Sequence, residues 1–400
     1  MTYLAFVRKE RRLLTFALSF TFFSSFGQTF LISLFVPYFI TAFELSNAGF
    51  GSLYSIATLV SATALPWLGQ WIDRIPLKQY SLYVATGLLI ASLTMAVSWH
   101  ISILFVSLVL LRLSGQGLSG HTAQTTMARF HDRVRGKALS ISGLGYPLGE
   151  ALLPSAVAGL LIIFHWRTTW LLIASVIAVV FIPVLWYLVR KETGSVESES
   201  EEEEAASTSE QYKLLMKDPR TAVMVPAILM PPFWVTGLFL YQVSAADDLG
   251  WSAALIASAF VAFAATRIFM GLSTGPVIDR FSAQSLFPTL LIPMIAGCLI
   301  GYFYSGAWAA FVYMGLTGAT MGFSGTLKSS LLAELYGTRT IGTVQSLFSS
   351  LMVFSTALSP FLVGWLLDNA VSMNTLLLIA ALTSTAAALL SIRVMPQYDP

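Results

Sequence analysis

Apolar residues run along this chain in stretches far longer than a soluble core uses. Twelve of them stand out, at 13–41, 48–71, 79–98, 101–127, 137–164, 168–190, 220–244, 252–275, 284–304, 307–332, 340–366 and 373–393. A helix that crosses a bilayer needs about 20 mostly apolar residues. Lipid offers no partner for backbone N–H and C=O groups, so each segment has to satisfy its own as a helix. The pattern therefore predicts an all-α membrane protein of twelve transmembrane helices. Short polar links punctuate it: Ser46-Asn47, Asp73-Arg74-Ile75-Pro76, Asp247-Asp248 and Asp368-Asn369. The first run follows Arg8-Lys9-Glu10-Arg11-Arg12 and extends from Leu13 to about Ile40. That is too long for the apolar region of a signal peptide and lacks a small-residue cleavage site, so it reads as an uncleaved first span.

Composition agrees with the pattern. Of 400 residues, 56% are hydrophobic and 10% charged, against about 25% charged in soluble domains. Eight of the 20 acidic residues crowd between Glu192 and Glu210, which leaves the remainder still more apolar. The placement of the 22 Lys and Arg residues orients the helices. With the N-terminus inside, 18 of them fall on the cytoplasmic side, one (Arg167) falls outside, and Arg112, Arg267 and Lys328 lie within spans. Positive loops are retained in the cytoplasm, so both termini are expected there, in a multi-pass protein of the cytoplasmic membrane. The cations are scattered singly and form no face for a nucleic-acid backbone. The single cysteine, Cys298, permits no internal disulfide and no cysteine metal site. No metal, cofactor or catalytic residue is expected.

One stretch breaks the apolar rhythm. Residues 191–219, with the run SVESESEEEEAASTSE, are expected to form a solvated acidic linker, because self-repelling glutamates have no apolar face to bury. It divides the chain into 1–190 and 220–400, and the two parts repeat each other. Gly69-x-x-x-Asp73-Arg74 returns as Gly275-x-x-x-Asp279-Arg280, a displacement of 206 residues. The same displacement carries Gly136 onto Gly342 and Pro154 onto Pro360. One offset held across three features indicates duplication: two pseudo-symmetric six-helix bundles, an arrangement by which secondary transporters build a central site.

The segment from Gly69 to Lys78 resembles the signature between the second and third helices of the major facilitator superfamily. It matches at Gly69, Asp73, Arg74 and Lys78 and departs at Pro76 and Leu77. The second copy keeps Gly275, Asp279 and Arg280 without the basic tail. Arg112-Leu-Ser-Gly115-Gln116-Gly117 is similar to the same family's fourth-helix motif. The resemblance covers essentially the whole chain. It implies a twelve-helix transporter working by alternating access, with no enzymatic activity, functioning as a monomer. In that frame Asp73 would sit against the N-terminal end of span 11 near Gly342, where the helix dipole favours a carboxylate, and Asp279 against the start of span 5 near Gly136.

Ionisable residues inside a bilayer cost about 2.5–3.5 kcal/mol each on insertion scales and mark functional positions. Arg112 lies about eleven residues into span 4 from the outside (101 to 112), and Glu150 about thirteen into span 5 from the inside (137 to 150). At 1.5 Å per residue these depths agree, and a pair is geometrically possible. Glu150 is the first candidate for carrying a proton, a fixed structural salt bridge being the alternative. Arg267, in span 8, has no acidic partner near it in sequence and suits an anionic substrate through its planar fork. Its position is similar to the helix-8 arginine of monocarboxylate and oxalate/formate facilitators, although it precedes Asp279 by one turn more. Lys328 would snorkel to the interface, pair with Glu334, or contact substrate. His121 is expected to be a hydrogen-bonded packing residue. Gln28, Tyr54, Gln116, Trp234 and Tyr241 are candidates for lining a polar cavity.

Rival classes fare worse. Gly117-Leu118-Ser119-Gly120 imitates a serine-nucleophile motif, yet His121 lies two residues on, where it cannot face that hydroxyl on a helix. No phosphate-binding loop of the ATPase kind is present. The sequence reads as a transporter of a small organic solute, an organic anion coupled to protons being the first choice. A drug or metabolite exporter of the same fold and a non-transporting sensor are the alternatives.

Overall fold

The computed structural model describes residues 3–131, 134–189, 218–337 and 341–394, and among them the chain is helical nearly throughout, with no strand. Most of the predicted linker, 191–217, lies outside the described residues. Span 1 is a bent pair, Arg11–Gly27 and Thr29–Ala42, meeting at 43°. Spans 2 to 6 are Asn47–Arg74, Leu77–Ala96, Ile101–Phe130, Gly136–Ile163 and Trp166–Leu188. Spans 7 to 9 are Pro219–Tyr241, Ala253–Phe281 and Ala283–Phe303. Span 10 is Ala307–Tyr336, and spans 11 and 12 are Val344–Asp368 and Met373–Val394. Ten of these are long and apolar enough to cross a membrane, and the bent pair makes an eleventh. Span 10 is less apolar, being studded with glycine and threonine. Its 30 residues nevertheless reach about 45 Å at the helical rise. The fold is thus the expected twelve-helix membrane bundle.

The spans differ from the predicted segments mainly at their ends. Span 8 continues through Asp279 and Arg280 to Phe281, and Asp73 and Arg74 close a helical turn, Trp71–Arg74. Both copies of the repeated motif therefore sit on helix and not in a link. Hydropathy drops at the membrane edge, but a helix satisfies its own backbone and continues into water without penalty.

Two compact units result, Met1–Leu45 with Ser52–Glu199 and Ser46–Gly51 with Ser200–Pro400. In the first, aromatic rings from spans 1 and 6 interlock: Phe23 stacks on Phe181 at 4.2 Å, and Phe35 meets Trp170 at 4.8 Å. In the second, spans 8 and 10 form the most extensive helix pair. There Gly318 lies against the Phe263 carbonyl and Gly322 against that of Arg267, so tightly that a Cβ would overlap either. Elsewhere apolar surface stays uncovered. In span 6 only 28% of the apolar window is buried, which lipid and not water can tolerate.

Candidate functional site

The break in span 1 organises the first unit. Ser24–Gly27 is a tight 3-10 turn, and Gln28 is extended (φ −85°, ψ 150°) before the helix restarts at Thr29. Such a break releases carbonyls from their helical partners. Arg112 takes one of them. Its Nη1 donates to Gly27 O at 3.2 Å and its Nε to Thr58 Oγ1 at 3.2 Å. Its guanidinium lies 5.0 Å from the ring centre of Tyr54. The Tyr54 hydroxyl shares a 2.8 Å hydrogen bond with Thr29. Arg112 is 4% exposed and Tyr54 fully buried, so one cation knits spans 1, 2 and 4 together.

Arg112 reaches that carbonyl because of two local features. Gly27 and Gly115 touch backbone to backbone; a Cβ on Gly115 would stand 2.7 Å from the Gly27 Cα. Leu111–Leu118 is a π-helical stretch, a distortion frequent at functional sites, and the Ser119 hydroxyl donates to Ser114 O five residues back at 2.7 Å. On span 5, Gly145 and Gly149 press against Thr21 and Ser25 of span 1. This brings Glu150, itself 5% exposed, into the interior of the same unit. Gln28 and Gln116, flanking the Gly27–Gly115 contact in sequence, are half-buried.

In the second unit the candidates are spread out. Arg267 is half-buried on span 8, with its guanidinium 6.0 Å from the Phe263 ring. Trp234 donates from Nε1 to Thr383 at 3.0 Å. Tyr241 is fully buried, its hydroxyl donating to Asn47 O at 2.7 Å and Pro360 O at 3.0 Å; it acts here as a brace. Lys328 is half-buried. The Glu334 carboxylate, one of its expected partners, instead accepts from the backbone N–H groups of Ala283 and Gln284 at 2.8 and 2.9 Å. A carboxylate at the start of span 9 is where the helix dipole favours it.

The duplicated motif does different work in its two settings. Asp73 forms an ion pair with Arg129 at the end of span 4, and Arg129 also donates to Ile72 O at 3.4 Å. Arg129 is one of the 18 cytoplasmic cations of the sequence, in which nothing local links residues 56 positions apart. Beside this pair, His121 bonds Gly69 O at 3.1 Å as a packing residue, and Arg74 donates to Gln70 at 2.7 Å. Lys78 lies 5.2 Å from the Trp186 ring centre. In the second copy Gly275 meets no neighbour, Asp279 and Arg280 are exposed, and Arg280 leans over Phe281 at 5.2 Å. The corresponding corner is tied by Glu334.

A further contact escaped the sequence altogether. Asp368, read there as punctuation, ends span 11 and accepts from Asn47 N at 2.9 Å, Asn47 Nδ2 at 2.9 Å and Ala48 N at 2.8 Å. Gly364 and Gly51 clear the space, since a Cβ on either would overlap Asn47 O or Pro360 O. This is why Ser46–Gly51 groups with the second unit. The available signal, an aspartate at one helix end and an Asn-led helix start 321 residues away, carries no pairing information.

Comparison with known proteins supplies the wider frame. The family profile described as Major Facilitator Superfamily matches residues 18–246 and again 232–400. No curated protein matches the chain in sequence. Among solved structures, the nucleoside transporter NupG superimposes with a TM-score of 0.74 at 14% identity, covering 96% of this chain and 98% of that one. A bacterial homolog of the human lysosomal transporter Spinster, in an inward-facing and unoccupied conformation, gives 0.72 at 16% identity, covering 96% and 98%. At these identities the likeness is one of fold.

Proposed function

We propose that this chain, a member of the Major Facilitator Superfamily and so of a multi-pass family of transporters and not of enzymes, is a proton-coupled carrier of a small organic anion working by alternating access. Glu150 carries the proton and Arg267 holds the anion. The observation that carries this reading is the placement of ionisable groups: a buried carboxyl, Glu150, only 5% exposed in the first unit, and a half-buried guanidinium at mid-span in the second. Such groups are costly in a membrane interior and are kept where substrate or protons pass. Arg112, with two of its donors and its ring face engaged inside the protein, braces spans 1, 2 and 4. By the positive-inside bias, both termini lie in the cytoplasm.

Reconstituted proteoliposomes with an imposed pH gradient test the assignment, after a thermal-shift screen has identified a solute. Glu150→Gln is expected to abolish gradient-driven accumulation while leaving solute exchange at equal pH, since an amide cannot release a proton. Arg267→Ala is expected to raise the apparent KM at least tenfold, with Arg267→Lys recovering part of the loss. Unchanged accumulation in the first variant removes Glu150 from coupling. Unchanged KM in the second places the anion elsewhere, and a solute that proves to be uncharged overturns the anion reading.

A further inference from the structure

At the membrane face where span 1 begins, the first unit carries a cluster that joins Lys78, the last residue of the signature segment, to side chains outside that segment and apart from the buried charges. Where span 6 ends, Trp186 and Tyr187 stand side by side, 47% and 64% exposed. A cation from a different span meets each ring. Lys78, at the start of span 3, holds its ammonium 5.2 Å from the Trp186 ring centre. Arg12, at the start of span 1, holds its guanidinium 5.8 Å from that of Tyr187. Arg12 is fixed by an Nη2 bond to Tyr187 O at 3.0 Å. The alternation of spans puts the starts of spans 1 and 3 and the end of span 6 on one membrane face, and the two cation–ring pairs are joined there through the consecutive residues Trp186 and Tyr187.

The patch has the chemistry of a lipid headgroup site. Tryptophan and tyrosine rings settle at the membrane–water boundary, apolar body inward and polar edge outward. Cations over their faces add an attraction without neutralising the charge. The Lys78 ammonium forms no hydrogen bond among the described residues, and Arg12 spends one donor on Tyr187. The rest of the Arg12 fork suits phosphate oxygens, which it can grip two at a time. Arg8, Lys9 and Arg11 add exposed positive charge beside Arg12 in sequence. The only carboxylate among them, Glu10, faces His131 at 3.5 Å.

We propose that Arg12 and Lys78, braced on Tyr187 and Trp186, bind the phosphate of an anionic phospholipid at the membrane face where span 1 begins. The acyl chains lie along the uncovered apolar side of span 6. Basic residues near an anionic membrane surface are worth about a fivefold gain in binding each. The site therefore favours an anionic lipid over a zwitterionic one, whose own cation opposes Arg12 and Lys78.

Native mass spectrometry of the full-length protein, titrated with phosphatidylglycerol or phosphatidylcholine, tests this. The wild type is expected to keep bound phosphatidylglycerol in preference to phosphatidylcholine. Lys78→Met is expected to weaken the phosphatidylglycerol adduct about fivefold, and Arg12→Gln with Lys78→Met about 25-fold, the adduct with phosphatidylcholine changing little. Should the double variant misfold, Lys78→Met decides alone, because it leaves the Arg12–Tyr187 bond in place. Equal retention of the two lipids by the wild type, or an unweakened adduct in Lys78→Met, overturns the proposal. Displacement of phosphatidylglycerol by an equal concentration of inorganic phosphate also overturns it, in favour of a free-anion site.

Discussion

At the scale of single residues, the charges in this protein divide by how completely the fold has used them. Arg112 is anchored by a carbonyl that a broken helix released, a threonine and a ring. That engagement is what makes a buried guanidinium tolerable. Asp73 and Arg129 are the contrasting case, a pair with side chains 33% and 27% exposed at the edge of the bilayer. Such a pair contributes about 0–1 kcal/mol. If its importance is to set the gate, Asp73→Asn is expected to leave thermal stability within about 1 kcal/mol of wild type while slowing transport at least tenfold. Scanning fluorimetry together with uptake separates the two effects. Loss of both in proportion marks the pair as structural. Asp73 was visible in the sequence through its motif; Arg129 was not, because a partner on another helix leaves no periodic trace.

At the scale of elements, glycine decides where helices touch and where they only pass. Gly115 and Gly27 bring spans 4 and 1 into backbone contact, and that contact delivers Arg112 to the break. Gly159, on span 5, meets nothing within 4 Å. The same substitution should therefore act oppositely at the two positions. Gly115→Ala is expected to destabilise by about 1–3 kcal/mol through overpacking. Gly159→Ala is expected to be neutral or stabilising by up to about 1 kcal/mol, from the better helix former. Thermal unfolding in detergent measures both, and a similar loss at each would show that the close approach at Gly115 is not what matters. Composition shows that both residues are glycine. Which one is crowded depends on the crossing of two helices 88 residues apart.

At the scale of the whole molecule, the duplication is plain in the sequence, yet the two copies have drifted apart in use. One ties its corner with an Asp–Arg pair, the other by Glu334 at the start of span 9. Span 2 is also divided between the compact units, since Ser46–Gly51 belongs to the second. The Asp368 carboxylate fixes that tip through three donors. Asp368→Ala is expected to cost about 2 kcal/mol of local stability, from charge-assisted bonds at a helix N-terminus. Hydrogen exchange at the amides of residues 47–51 should then quicken about 30-fold. No change there would mean that glycine packing and the Tyr241 hydroxyl hold the tip unaided.

The sequence by itself determined the solvent, the secondary structure and the repeat. Runs of about 20 apolar residues leave lipid as the only medium, and lipid leaves helix as the only backbone. Those are properties of contiguous residues, which a linear reading captures. Tertiary structure alone decided that span 1 breaks at Gly27, that Arg112 occupies the break, that Arg129 pairs with Asp73 and that Asp368 holds the tip of span 2. Each of these joins groups far apart in the chain, and their bond energies depend on distances that helix packing sets.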